Sequence, residues 1–186
     1  MCCQKLPPGA HGVVGLFSNL MQASRWVHAS PGFLGFDVGN PQRAGRAEGF
    51  RAIEESAAYV SRGHLGIVQD VAGIEVSDAV LTGGAAKGTL WPQILADTLG
   101  IPVRIPRVKE STALGAAIYA GVGAGVYPDA AATAAELVRF DRMFDPQAEA
   151  VAAYRHLYEQ WLDLYGRSLE LSEAGLVRPL WRAAGT

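Results

Sequence analysis

The sequence predicts an α/β layered domain, and three observations carry that reading. Short apolar runs, several of them β-branched, end in glycine or proline and read as buried strands. Longer segments place apolar residues at three- and four-residue steps and read as helices. The two kinds of segment alternate along the chain, which is the pattern of strands layered against helices.

The elements follow in order. Residues 1–10, MCCQKLPPGA, form an irregular lead-in broken by Pro7, Pro8 and Gly9. Val13 to Phe17 reads as a short buried strand. Residues 18–41 read as loop with short strands, turning at Pro31-Gly32. From Arg43 to Ala72 the pattern is helical, with Phe50, Ile53, Ala57, Val60, Leu65 and Val68 as its apolar stripe and a bend expected near Gly63 and Gly66. Asp78 to Leu81 is the next strand and runs into Thr82-Gly83-Gly84. A helix over residues 87–99 carries Leu90, Trp91, Ile94 and Leu95 and ends at Gly100 as a C′ glycine. Pro102 to Ile105 is a strand. Thr112 to Ala124 is a helix rich in small residues, capped by Ser111 or Thr112, with Gly115, Gly121 and Gly123 allowing close packing. A helix over 130–137 follows. The last helix, 148–172, carries the seam Val151, Tyr154, Tyr158, Trp161 and Tyr165 and closes at Gly175. The expected organisation is the lead-in 1–10, a lobe over 11–147, and a C-terminal helix and tail over 148–186 packing on that lobe.

Composition narrows the function classes. The chain has 186 residues, 49% of them hydrophobic and 18% charged, enough to bury a core and against intrinsic disorder. The net charge of −2 supplies no basic field for nucleic acid or an anionic membrane. Cys2 and Cys3 are adjacent, so they make neither an unstrained disulfide nor a zinc site, and a reducing, cytoplasmic setting is expected. The N-terminus lacks the apolar core of a signal peptide, and no run is long enough to span a bilayer. One tension is visible at once: 186 residues is short for an enzyme that closes two lobes around two substrates.

The sharpest motif is DAVLTGGAAKGTLWPQILAD, residues 78–97. A strand ends in two glycines and a helix begins, which suits an anion: free N–H groups at the helix start point outward and the helix dipole favours negative charge. The same residues also fit a tight βα turn with no ligand. The P-loop pattern fails because Thr89 stands where lysine is required, and the dinucleotide fingerprint fails because Ala85 follows Gly84. Gly121 to Gly125 lies at a helix end and suits packing and capping. Gln93 and Asp97 share a helix face and suit either a ligand or a helix-to-loop anchor. Glu110 suits a brace for the glycine corner or plain surface. His11, His28, His64 and His156 show no metal spacing, and no G-x-S-x-G elbow occurs. Arg104, Arg107 and Lys109 read as a solvated strand edge, and Trp26, Trp91, Trp161 and Trp181 as core or interface residues.

Taken together, TGGAAKGTLWPQILADTLGIPVRIPRVKESTALGAAIYAGVGAG resembles the C-terminal lobe of FGGY-family carbohydrate kinases. The matching features are the GG(G/A) corner, the L-x-x-Q-x-x-A-D helix, the P-V strand and the E-x-T/S-A-L-G-A-A helix, in that order. Arg51 to Tyr59 looks like the family's long helix and Gly9 to Phe17 like the entry strand. Phe17 to Pro31 and the tail at Val177 to Trp181 are most similar to the autoinducer-2 kinase branch. The resemblance implies an actin-like (ribonuclease H-like) ATPase lobe, a mixed sheet flanked by helices. It implies ATP and Mg²⁺ as cofactors and a small carbohydrate-like substrate. Nucleotide binding is then expected at Gly83, Gly84, Ala85, Lys87 and Gly88. The family's D-x-G-T loop and its catalytic Asp have no counterpart here. Asp37-Val38-Gly39-Asn40 is only an echo of that loop, and the G-E-R stretch that many sugar kinases carry after the entry strand is missing. No catalytic residue is therefore expected in this chain, and the Mg²⁺ ligands are expected mainly on a missing N-terminal lobe, for which a separate N-terminal lobe chain is a candidate partner. The chain reads as roughly the C-terminal two-fifths of a two-lobed kinase, inactive alone. A non-catalytic nucleotide-binding or interaction module is the alternative.

Overall fold

A computed structural model describes residues 5–17, 19–20 and 26–184. The chain divides into two compact units. One holds Met1–Glu75, Asp97–Gly100 and Pro146–Thr186; the other holds Val76–Ala96 and Ile101–Asp145.

In the first unit, β1 (Val14–Leu16) pairs antiparallel with β3 (Gly32–Leu34), in register Val14 to Leu34. β2 (Val27–His28) pairs antiparallel with β7 (Trp181–Arg182). Two long helices, α1 (Arg46–Ala72) and α5 (Ala148–Glu173), dominate the unit. β1 approaches α1 so closely that a Cβ on Gly15 would stand 2.7 Å from the Ala52 carbonyl oxygen, so only glycine fits. The seam expected on α5 is realised: Tyr154, Trp161 and Tyr165 are all buried, and the Trp161 and Tyr165 rings stack with centroids 5.0 Å apart. The Trp161 indole donates to Gly15 O at 3.0 Å and the Tyr165 hydroxyl to Leu20 O at 3.1 Å, so each ring buries its body and satisfies its polar tip. Gly175, at φ 71°, follows α5 as expected.

α1 differs from its expected form in two ways. It runs unbroken through Gly63 and Gly66. Half of the expected stripe also faces outward, although Val60 is buried and Ala57 and Leu65 are half-buried. Phe50 is 65% exposed, Val68 is 51% and Ile53 is 39%, whereas Glu48, Arg51, Ala52, Glu55, Ser56, Tyr59 and Gly63 are buried. Apolar periodicity misses this face because its charges satisfy one another. Arg51 Nε donates to Glu55 Oε1 at 2.8 Å, and the Tyr154 hydroxyl donates to the same oxygen at 2.9 Å. The α1 N-terminus is half a capping box, with Gly45 N–H donating to Glu48 Oε2 at 3.0 Å.

In the second unit, β4 (Ala79–Val80) pairs parallel with β5 (Val103–Pro106), and β5 pairs antiparallel with β6 (Phe140–Phe144). The three-stranded sheet is mixed, as expected, with Val103 and Ile105 fully buried at its centre. α2 (Leu90–Leu99) follows β4, and Gly100 at φ 74° ends it. α3 (Ser111–Gly123) and α4 (Ala130–Leu137) follow β5, the latter capped by Asp129, whose carboxylate accepts Ala132 N–H at 2.8 Å. Residue Glu110, not Ser111 or Thr112, stands at the N-cap of α3 and caps with no side-chain bond, because the Ser111 hydroxyl is turned to Thr82 Oγ1 at 3.0 Å. Of the glycines in α3, only Gly121 meets a close neighbour, the Tyr127 ring. β6 has no strand signal in sequence: Phe-Asp-Arg-Met-Phe lacks β-branched residues and buries neither face fully.

Candidate nucleotide corner

The chain leaves β4 and enters a single 3-10 turn, Gly84–Lys87, before α2. Gly83 at φ 77°, ψ −160° makes the reversal, a conformation that only glycine adopts without strain. Its N–H donates to Lys109 O at 2.8 Å and its carbonyl accepts Ala86 N–H at 3.2 Å, so Gly83 holds the corner rather than offering donors. Gly84 and Ala85, the first residues of the turn, are both exposed. A Cβ on Gly83, Gly84 or Gly88 would meet nothing within 4 Å, so the backbone is open to close approach by a ligand. Gly84, Ala85, Lys87 and Gly88 are exposed, while Ala86 is fully buried and roots the turn. The corner thus brings all five expected residues into one short stretch of accessible backbone.

Charge at the corner is modest. Lys87 Nζ stands 3.9 Å from Glu110 Oε1, with both side chains mostly in solvent. Glu110 therefore meets the corner through a weak exposed pair, while the backbone of Lys109 does the bracing. Residue Arg142 of β6 went unseen in sequence. Its guanidinium donates to Ala86 O and, at 3.0 Å, to Gly88 O, and stacks 5.5 Å from the centre of the Phe144 ring. It ties two carbonyls of the corner to the sheet from the strand that sequence patterning did not reveal. An Arg sixty residues downstream of the glycines carries no local sign of that role.

Other candidates resolve into structural parts. Gln93 donates its side-chain amide to Asp145 O at 3.0 Å, and Asp97 accepts Gln147 N–H at 2.8 Å, so both are helix-to-loop anchors. Asp37 folds its carboxylate onto Gly39 N–H and Asn40 N–H, at 3.0 and 3.1 Å, closing its own exposed turn. Arg104 pairs with Asp78 and lies 4.2 Å over the Phe140 ring, and Lys109 pairs with Asp141 at 3.5 Å. His11 meets Glu48 at 3.3 Å and His156 meets Gln160 at 3.0 Å. Among the described residues no group of three His, Cys, Asp or Glu side chains converges to hold a metal ion, and no helix is long and apolar enough to cross a membrane. Cys2 and Cys3 lie outside the described residues.

Residues 2–124 match the C-terminal domain of the FGGY family of carbohydrate kinases. The chain belongs to that family. An autoinducer-2 kinase of Salmonella paratyphi A is 45% identical over 181 residues, and one of Yersinia enterocolitica is 44% identical over 181 residues. Each alignment takes in 97% of this chain and 34% of the relative, so this FGGY chain spans about a third of the length of the curated relatives it matches. Among solved structures, a xylulose kinase from Rhodospirillum rubrum superposes with a TM-score of 0.66 at 25% identity, covering 89% of this chain and 32% of that one. A glycerol kinase from Plasmodium falciparum, crystallised with ADP, gives a TM-score of 0.72 at 21% identity, covering 90% of this chain and 33% of that one. The FGGY chain therefore has the actin-like ATPase fold of the family's sugar kinases.

Proposed function

We propose that this chain is the nucleotide-holding part of an ATP-dependent carbohydrate kinase of the autoinducer-2 kinase type, which phosphorylates a small hydroxylated substrate only with the rest of the kinase present. The observation that carries this is the β4–α2 corner: Gly83 turns the chain, Gly84 and Gly88 leave the backbone bare, and Ala85 between them is exposed. The similarity to autoinducer-2 kinases at 45% identity supports the substrate class.

The residues present fit a nucleotide in one respect, the cleared backbone where a Cβ would otherwise stand. When bound, ATP with Mg²⁺ supplies the transferable phosphoryl group. The N–H groups of Gly84 and Ala85 give it neutral donors, Lys87 adds a mobile positive charge, and Arg142 keeps the turn from shifting. The one carboxylate at the corner, Glu110, is turned to Lys87, and on this reading the positioning of the acceptor hydroxyl and of the metal falls to the rest of a kinase of which this chain spans about a third.

Calorimetric titration of the chain with ATP-Mg²⁺ tests the reading. Saturable heat at millimolar nucleotide or below is expected, with Gly84→Asp weakening binding about tenfold by placing a like charge against phosphate. Absence of heat at millimolar ATP, or equal affinity in the variant, would overturn it.

A further inference from the structure

The outer side of α1 carries a stripe of residues, Phe50, Ile53, Ala57, His64, Val68 and Val71, opposite the buried Ala52, Glu55, Tyr59 and Gly63. Phe50, Ile53, Val68 and Val71 are exposed, Val71 to 84%, while Ala57 and His64 are half-buried. Large apolar side chains gathered on one face, rather than scattered singly, mark an interaction surface. Ser61, in the middle of the stripe, turns its hydroxyl back to Ala57 O at 2.9 Å and so adds no unmet polar group. Beside Phe50 and Ile53, the Phe33 and Phe36 rings line an open hollow of about 500 Å³.

Two observations bear on what covers this face. The first is its spacing. From Phe50 to Val71 the stripe steps by three, four, seven, four and three residues. It therefore reads the same from either end, about a midpoint between Val60 and Ser61. A helix face with that symmetry is matched by its own antiparallel copy. Phe50 then meets Val71, Ile53 meets Val68, and the small Ala57 meets the larger His64, each pair occurring twice. The second is charge. Exposed Arg43 and Arg46 stand at the N-terminal end of α1, and exposed Asp70 and Glu75 at its C-terminal end. These signs oppose the dipole of their own helix, which favours anions at the N-terminus and cations at the C-terminus. None of the four makes an ion pair among the described residues. An antiparallel copy supplies the missing partners, because its acidic end lies beside the basic end of the first helix at both ends of the pair.

We infer that the outer side of α1 is a dimerisation face, on which a second copy of this chain packs its own α1 antiparallel across a two-fold axis between Val60 and Ser61. Ala57 and Ser61 flank that axis, and their small side chains allow the helices to approach closely. Val71 of the second copy enters the hollow beside Phe50. The inference does not rest on the kinase reading, because the face and the glycine corner belong to different units.

Sedimentation equilibrium of the full chain tests it. A dimer with a Kd on the order of 1–100 μM is expected, as suits a small interface. Val68→Glu, at a side chain already half in solvent, sets a charge against Ile53 of the second copy and is expected to weaken the dimer at least about thirtyfold. Arg46→Glu is expected to weaken it about tenfold while leaving the unfolding midpoint no lower, because the new sign suits the dipole of α1. Adding Glu75→Arg to that variant is expected to restore the affinity. In a Cys2→Ser, Cys3→Ser background, Ser61→Cys should cross-link two copies on oxidation. Val71→Cys should not, since the two copies of that position stand about 30 Å apart. A chain still monomeric at about 1 mM, a dimer indifferent to Val68→Glu, failure of the charge exchange to restore affinity, or cross-linking through Val71→Cys in place of Ser61→Cys would each overturn the inference. So would a face that gains protection from amide exchange only when a separately produced N-terminal part of an FGGY kinase is added, which would assign it to that part instead.

Discussion

At the scale of single residues, the buried face of α1 depends on charges that answer one another. Arg51 and Glu55 keep 7% and 3% of their side-chain surface exposed, and Arg51 Nη2 also reaches the Tyr154 hydroxyl at 2.6 Å. Burial pushes the Glu55 carboxyl above its ordinary value of 4.5 despite those donors. Removing Arg51 strands that carboxylate. Arg51→Ala is expected to destabilise by about 3–5 kcal/mol, and Tyr154→Phe by about 1–3 kcal/mol, measured by urea unfolding at neutral pH. Glu48 behaves in the opposite sense. Burial alone would raise its carboxyl, but the N–H groups of Glu48 and Gly45 and the His11 ring outweigh it and hold the carboxyl below 4.5. A lowered folded value contributes stability above pH 4.5 that is lost as pH falls through the folded value. Unfolding midpoints should therefore decline below pH 4.5, and Glu48→Gln should flatten that decline; an unchanged acid limb in the variant would count against the assignment.

At the scale of elements, two contacts decide geometry. β1 rides on α1 through Gly15, whose added Cβ would press on the Ala52 backbone at 2.7 Å. Backbone cannot rotate aside as a side chain does, so Gly15→Ala is expected to cost about 1–3 kcal/mol or to displace β1, read as a lowered unfolding midpoint. The glycine corner is tied down by Arg142 on β6. Arg142→Ala frees the carbonyls of Ala86 and Gly88; a loss of about 1–2 kcal/mol in stability is expected, with faster amide exchange at residues 84–88. Legibility in sequence differs sharply between these elements. β4, α2, β5 and α5 announce themselves through apolar runs, a stop glycine and a 3-4 aromatic seam, all of them local signals. β6 does not, because its five residues owe their strand to pairing with β5 and not to their own pattern. The α1 face was misassigned for a related reason: hydrophobic periodicity counts Phe50 and Ile53 but is blind to Glu55, whose partner lies ninety-nine residues away on α5.

At the scale of the whole molecule, length governs function. The chain matches about a third of the length of its curated relatives. Phosphoryl transfer is mainly positioning and charge neutralisation, so one side of a cleft should give almost no turnover. The chain alone is expected to show no phosphorylation of an autoinducer-2-type substrate above background, and addition of a separately produced N-terminal part of an FGGY kinase is expected to raise turnover at least a hundredfold. Kinase-level turnover by the chain alone would show that the base lies within these 186 residues.

The residues themselves determined the family, the alternation of strands and helices, and the position of the glycine corner. Each of these rests on local chemistry: backbone freedom at glycine, apolar spacing, and a motif order compact enough to read in one pass. Tertiary structure alone decided that Gly83 spends its N–H on Lys109, that Arg142 anchors the corner, and that α1 turns its charged face inward and its phenylalanine outward. Those outcomes depend on partners far apart in the chain. The energy that selects them, the satisfaction of buried polar groups, exists only once the partners have met.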